Sequence, residues 1–406
     1  MPASSARCHD NIVPLATGGL HEVFCEPPLK LFFMLLGGAS VSCSFSLSDF
    51  TEGTSRARDD ADDDFSGEYK LKQAILYGAR ELRIEDTLLD CDNLQSDQLY
   101  AETIVSALST GTDLGNYLGD STYVPGAPDY PRKIGYSNVA VVRQVGTNVS
   151  RHKVGQRVFS TQPHLSAYVA RQRDILVTVP ESVSSEQASL AYLTHMGLAA
   201  LRQANYLAGE NVAIVGLGII GLCTAGLARA MGAKVVGIAN SSGRANAAVR
   251  AGAHVALTAD DPNLEEKLQA CFGETGADIV VLTANAWDAF RLSVNIVRRT
   301  GRVSILGFPG RAQPQPNFNP LDPSWLYAKQ LTLLGAGFAP ITDCPPDELR
   351  FNMRRNLEYI LDLMASGTLR LDNLITHRLP APRMKEAYEL ASQHSKELVG
   401  AVFQWS

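Results

Sequence analysis

The hexapeptide Gly216-Leu217-Gly218-Ile219-Ile220-Gly221 constrains the fold of this chain more than any other feature. Alone, a G-x-G-x-x-G pattern is weak, but its setting here is specific. Val212 to Val215 form an apolar strand pattern before it, and the segment behind it has helical spacing up to Gly232. In such a strand–turn–helix unit the first glycine permits a tight turn and the second lets a dinucleotide pyrophosphate approach the backbone. The third lets the helix pack close to the strand, and the helix N-terminus receives the phosphates. Gly216, Gly218, Ile219, Ile220 and Gly221 are therefore candidate cofactor-binding residues, against the alternative of a glycine-rich turn with no ligand.

The flanking sequence repeats the same alternation. KVVGIAN reads as a strand and GRANAAVRAGA as a helix, followed by strands around HVAL, DIVVLT and GRVSIL. Strands alternating with helices of this length predict a doubly wound, parallel α/β sheet over residues 191–338. The stretch 69–190 reads differently. LKQAILYGARELRIEDTLL predicts a hairpin turning at Gly78-Ala79-Arg80, and short β-patterns follow, which predicts a compact antiparallel barrel. SSEQASLAYLTHMGLAALRQAN predicts one helix whose start, Ser184 with Gln187, has the form of a capping box. Residues 339–406 predict helix, strand, helix and a final strand.

Residues 1–68 combine Ser, Pro and Gly with an acidic run from Arg58 to Glu68 and carry no sustained periodicity. Such a segment buries too little apolar surface to offset its ordering entropy, so disorder or a non-native extension is expected. Within it, Leu29–Val41 is apolar but shorter than the roughly 20 residues a spanning helix needs. The residues before it, with Asp10, Glu22 and Glu26, make a poor signal-peptide start.

The whole 406-residue chain is 45% apolar and 19% charged with a net charge of -6, and it has no block of Lys or Arg. Nucleic-acid and anionic-membrane partners thus lack electrostatic support. Seven cysteines at 8, 25, 43, 91, 223, 271 and 344 contain no C-x-x-C pair. That argues against a disulfide framework and for a reducing, cytoplasmic compartment.

At the end of the second strand of a dinucleotide fold, an NAD enzyme places Asp or Glu on the ribose hydroxyls. Here Ala239, Asn240, Ser241, Ser242, Gly243 and Arg244 occupy that stretch. With no carboxylate to repel a 2′-phosphate, and with hydroxyls and a guanidinium to bind one, NADP(H) is expected over NAD(H). The other reading makes Arg244 a solvated helix residue and the site indifferent. Thr283, Ala284, Gly307 and Phe308 fall at strand ends where the nicotinamide side should lie.

From about Lys70 onward the chain resembles the medium-chain dehydrogenase/reductase superfamily, through several blocks in order. These are Ser109-Thr110-Gly111-Thr112-Asp113 with Tyr117-Leu118-Gly119-Asp120, Ile134-Gly135-Tyr136-Ser137-Asn138-Val139, Val154-Gly155-Gln156-Arg157-Val158, the glycine fingerprint, Gly301-Arg302-Val303, and LRLDNLITHRLPAPRMKEAYE. The resemblance implies a GroES-like catalytic domain, a Rossmann domain inserted before the last segment, and an active site between them. It also implies a homodimer through the sheet edge near Leu331–Phe338. Zinc-bearing members have Cys at the position of Thr110 and His-Glu at Tyr136-Ser137. Since Thr, Tyr and Ser are poor zinc ligands, no metal is expected. GYSNV with STGTD is similar to two zinc-lacking branches, one of sugar-related oxidoreductases and one acting on bacteriochlorophyllide side chains.

Without zinc, polar side chains must move the proton and steady the substrate oxygen. Thr112 aligns with the hydroxyl that passes the alcohol proton in zinc-bearing relatives, unless it is a barrel-strand Thr with a local backbone bond. Tyr136 replaces a ligand His and either donates its phenol to a carbonyl or fills the metal's volume. His195 begins the helix near the nicotinamide, and His164 follows a barrel strand near the substrate, so both are acid/base candidates with structural alternatives. Asp113 is expected to brace its loop. The leading expectation is hydroxyl–carbonyl interconversion on a small substrate, sugar-like or a secondary metabolite. The alternatives are NADPH-dependent reduction of an enone or quinone C=C, and a catalytically inactive nucleotide-binding protein.

Overall fold

The computed structural model describes residues 68–119, 129–174, 176–311, 313–336 and 351–405. The acidic run up to Gly67, the apolar run Leu29–Val41, Asp120, Cys344 and the end of the expected dimer edge lie outside them.

The chain begins with strands β1 (Glu68–Leu76), β2 (Leu82–Asp90) and β3 (Gln98–Ala107), then helix α1 (Thr112–Leu118). Strands β4 (Arg132–Lys133), β5 (Asn138–Val145), β6 (Arg157–Ser160), β7 (Ala167–Arg171) and β8 (Leu176–Thr178) follow. Helices α2 (Ser185–Ala188) and α3 (Ala191–Gln203) lead into β9 (Asn211–Val215), α4 (Ile219–Ala230), β10 (Lys234–Ala239), α5 (Ser242–Ala251) and β11 (Val255–Thr258). The alternation continues with α6 (Leu264–Phe272), β12 (Ala277–Leu282), α7 (Trp287–Ile296), β13 (Val297–Ile305) and β14 (Thr332–Gly335). The chain closes with α8 (Met353–Ala365), β15 (Ile375–Pro380), α9 (Met384–Ser392) and β16 (Gly400–Gln404).

Strands β9 to β14 form one sheet in the order β11-β10-β9-β12-β13-β14, and every pair in it is parallel. Counted from β9 this is 3-2-1-4-5-6, the Rossmann order, which places the fingerprint turn at the point where the order reverses. The period-2 alternation of a strand divides the burial between two faces. Val212, Ile214, Ile279 and Val281 face the layer of α3, α4, α5 and α8. Ala213, Val215, Val280 and Leu282 face that of α6 and α7. Two-sided burial explains why these strands read as continuous apolar runs.

The other half is antiparallel around β3, which pairs with β5, β7 and β16. The β1–β2 hairpin turns where expected, with Arg80 at φ +62°. Because β16 sits between β3 and β15, the C-terminal segment completes the sheet that β3 and β5 begin, while β1, β2 and β4 form a separate small sheet.

Two local expectations need correction. The helix expected to run on from Ser184 is two helices, broken at Ser189-Leu190. The Ser137 hydroxyl donates to the Ser189 carbonyl at 2.5 Å, while the Ser184 side chain caps α2 through the Gln187 amide. A tertiary donor has taken the carbonyl that the next turn would have used. Likewise Thr112 is no strand residue: it is the first residue of α1, following Gly111 at the N-cap.

Candidate active site

The fingerprint turn is built from backbone. Gly216 has φ +99°, and a Cβ there would lie 2.6 Å from the Ala284 nitrogen. A Cβ on Gly221 would fall 2.0 Å from the Gly216 carbonyl oxygen, so close helix–strand packing admits only glycine. Around Gly218, by contrast, nothing lies within 4 Å of that position. Gly218 is also the N-cap of α4, with no side-chain cap on the first amides of the helix. An open cradle at an uncapped helix N-terminus fits the pyrophosphate of a nicotinamide dinucleotide. Ile219 and Ile220 open that helix. Thr283 donates its hydroxyl to the Gly216 carbonyl at 2.6 Å, and a Cβ on Gly307 would meet the Ala284 carbonyl oxygen at 2.6 Å. Thr283, Ala284 and Gly307 thus converge on the turn, while Phe308, about half exposed, lies outside this close packing with Arg311 stacked over its ring at 3.9 Å.

At the end of β10, Ala239 is buried and Asn240 exposed. Ser241 is the N-cap of α5 with its hydroxyl making no cap bond, and Ser242 follows, exposed. Arg244 is not a freely solvated helix residue. Its half-buried guanidinium donates to the Leu398 carbonyl at 2.5 Å, tying α5 to the segment before β16.

On the barrel side, Thr112, Tyr136 and Ser109 come together. Burial and the Asp113 carboxylate push the Tyr136 phenol above its usual range, while the hydroxyls of Ser109 and Thr112 facing it act the other way. The phenol is therefore a hydrogen-bond donor at neutral pH. The Tyr136 ring meets Tyr192 edge-on at 5.0 Å, and Tyr192 in turn lies 5.5 Å from His195. Tyr136, Leu217 and Ile219 belong to one apolar cluster that runs from the barrel into the nucleotide sheet.

The two candidate histidines are placed very differently. His195 is fully enclosed, and neither ring nitrogen has a hydrogen-bond partner among the described residues. Burial, helped by the Arg202 charge, lowers its pKa to about 4. It is a neutral ring at physiological pH, separated from Tyr136 by Tyr192. His164 is also fully buried. Its Nδ1 lies 2.8 Å from Ser106 Oγ and its Nε2 3.8 Å from Asp113 Oδ2. Asp113 accepts from the Ser109 amide at 2.9 Å and is 1% exposed, which fits a loop brace.

Tyr192, Tyr388, Ser106 and Trp405 were not legible as site residues. The i, i+3 spacing of Tyr192 and His195 on a helix is a signal that finds Tyr192. Tyr388, Ser106 and Trp405 join the site through pairings across most of the chain, and no local pattern announces them.

The residues where zinc-bearing relatives place ligands do not fit zinc. The Ser137 hydroxyl is spent on the Ser189 carbonyl, Tyr136 is a protonated phenol, and Thr110 offers one hydroxyl. Among the described residues no group of three His, Cys, Asp or Glu side chains is placed to hold a metal ion. Cys91, Cys223 and Cys271 are buried free thiols.

The comparisons with known proteins agree with this architecture. Residues 220–351 match the family model described as zinc-binding dehydrogenase. The sorbitol dehydrogenase of Bacillus subtilis (strain 168) is 22% identical over 366 residues, covering 80% of this chain and 95% of that protein. A quinone oxidoreductase of Sus scrofa is 30% identical over 197 residues, 47% of this chain and 59% of that protein. Among solved structures, a putative zinc-binding dehydrogenase from Sinorhizobium meliloti 1021 bound to NADP superposes with a TM-score of 0.65 at 19% identity, covering 83% and 99% of the two chains. Together these matches support the medium-chain dehydrogenase/reductase superfamily. The chain is an oxidoreductase enzyme with a Rossmann domain and a second, catalytic domain.

Proposed function

We propose that this enzyme interconverts a hydroxyl and a carbonyl on a small, polyol- or sugar-like substrate, with NADP(H) as cofactor and without zinc. The observation that carries the reading is the Thr112 hydroxyl facing the phenol of Tyr136, the residue that stands where zinc-bearing relatives hold a ligand histidine. A bound nicotinamide supplies or accepts the hydride. The Gly218 turn and the start of α4 would hold the pyrophosphate, and Ser241 and Ser242, with Arg244 close in sequence, would hold a 2′-phosphate. Tyr136 donates to the substrate oxygen, where negative charge grows during reduction. Thr112, beside it, both accepts and donates, so it can pass a proton between that oxygen and solvent. His195 stays neutral and shapes the wall behind Tyr192. The relative named sorbitol dehydrogenase supports a polyhydroxylated substrate.

A second reading, reduction of an enone or quinone C=C, is favoured by the relatives named quinone oxidoreductase. A donor phenol alone suits it, since hydride to the β-carbon of an enone demands less polarisation of the carbonyl. A panel of ketoses, polyols, enones and quinones, run with NADPH and NADH after exhaustive chelation, separates the two. Chelator-resistant turnover of ketone or polyol with NADPH is expected. Turnover confined to enones and quinones overturns the first reading, and tighter binding of NADH overturns the cofactor preference. A cytoplasmic homodimer completes the proposal. The supporting feature is β14, which among the described residues is the outer strand of its sheet and pairs with β13 alone.

A further inference from the structure

Behind the two hydroxyls lies a buried polar cluster that the proposed reaction does not itself use. Asp113 Oδ1, His164 Nε2 and the Tyr388 hydroxyl have no hydrogen-bond partner among the described residues, and all three side chains are almost wholly enclosed. A buried polar atom left unpaired costs about 1–3 kcal/mol, so three in one place ask for a reason. The Asp113 charge acts on both Tyr136 and Tyr388, so the carboxylate lies near both phenols.

His164 touches both walls of the site. Its ring packs so closely on Gly135 that a Cβ there would lie 2.6 Å from the imidazole, and its amide donates to the Ile134 carbonyl at 2.8 Å. Gly135, at φ +91°, is the residue that aims Tyr136. On the other side Nε2 faces Asp113, whose carboxylate holds the Ser109 amide and opens α1 next to Thr112. A third contact sets which nitrogen carries the proton. The Trp405 indole N–H donates to Ser106 Oγ at 2.9 Å, and an indole can only donate. Ser106 keeps its proton and one lone pair, and among the described residues His164 Nδ1 is the one acceptor in reach of that proton. The arrangement that leaves no hydroxyl unpaired therefore has Ser106 donating to Nδ1 and the ring proton on Nε2, toward the Asp113 carboxylate. The opposite tautomer would set a lone pair against a buried anion.

We infer that His164 is a positioning residue, locked by Ser106 and Trp405 so that its Nε2–H faces the Asp113 carboxylate across 3.8 Å, and by its contact with Gly135 and its charge–dipole attraction to Asp113 it sets the spacing between Thr112 and Tyr136. The inference rests on the proposed role of that hydroxyl pair. It also assigns Trp405, next to the last residue of the chain, to the support of a site whose hydroxyls lie almost 300 residues earlier.

Two measurements test it. In protein labelled with 15N-histidine, the Nδ1 and Nε2 shifts of His164 report its tautomer whether or not a substrate is known. A proton on Nε2, in a neutral or a charged ring, is expected, with mixed tautomers in Trp405→Phe and Ser106→Ala. A bare Nε2 overturns the inference. The second measurement compares H164Q, whose amide nitrogen takes the place of Nε2, with H164N, whose amide reaches only Ser106. H164N is expected to lower kcat about tenfold or more, because small misplacements of reacting groups are costly. Substrate KM and the NADPH dissociation constant should stay within about twofold, and H164Q should recover most of the kcat. Equal loss in both variants, or loss that appears only in KM, overturns it. If the wild type turns over no substrate of the panel, the proposed reaction fails while the tautomer measurement still decides this inference.

Discussion

The two halves of the site are made of different material. On the nucleotide side the working parts are backbone: an open glycine, an uncapped helix end and a turn that Gly216 and Gly221 keep tight. On the barrel side they are side chains from α1, the turn before β5 and, behind them, α9 and β16. A backbone site needs only a strand, a turn and a helix in sequence, so it is local and tolerant of its neighbours. A side-chain site is correct only when several distant segments register together, and its polar atoms pay for any error by losing partners.

The comparison breaks most visibly at Tyr136. Tyr136→Phe is expected to lower kcat about 10²–10³-fold, as for loss of one donor to a developing oxyanion, with NADPH affinity unchanged in a fluorescence titration. A phenylalanine variant that keeps its kcat removes the tyrosine from the mechanism.

Next in size is His195. Its folded pKa of about 4 lies below the unfolded value near 6.5. The unfolded chain therefore binds the extra proton first as pH falls, and stability declines from about pH 6.5 to about 4, by roughly 3 kcal/mol. Other buried histidines such as His152 act in the same direction, so the measurement is a difference. Denaturant unfolding of wild type and His195→Leu should give a shallower pH slope for the variant over that window. Parallel slopes would show that His195 titrates normally.

The two glycines sharpen the contrast within a single motif. Gly221→Ala forces a Cβ against the Gly216 carbonyl and should cost about 1–3 kcal/mol of unfolding free energy. Gly218→Ala meets no protein atom and has ordinary backbone angles, so thermal stability should hold. Its methyl enters the cradle, and a loss of about tenfold in cofactor affinity, or about 1.4 kcal/mol, is expected by titration. If Gly218→Ala binds NADPH as well as the wild type does, the cradle is not where the pyrophosphate lies.

Much of the fold was readable in advance because its signals are short-range. Period-2 and helical spacing place β9 to β13 and α4 to α7, and the hairpin at Arg80 follows from its turn residues. The break at Ser189 was not readable, since it depends on a hydroxyl 52 residues away. Nor was the true partner of Arg244, a carbonyl 154 residues on.

The sequence by itself determined the dinucleotide half of this enzyme, because a glycine's missing side chain and a strand's alternation act within a few residues of where they are written. It also named Thr112, Tyr136, His164 and His195. Only the tertiary structure divided those four, placing Thr112 and Tyr136 face to face, His195 behind Tyr192, and His164 beneath the floor against Asp113. Burial and a neighbour's charge set what a hydroxyl or imidazole can do, and both come from residues that meet only once the chain has folded.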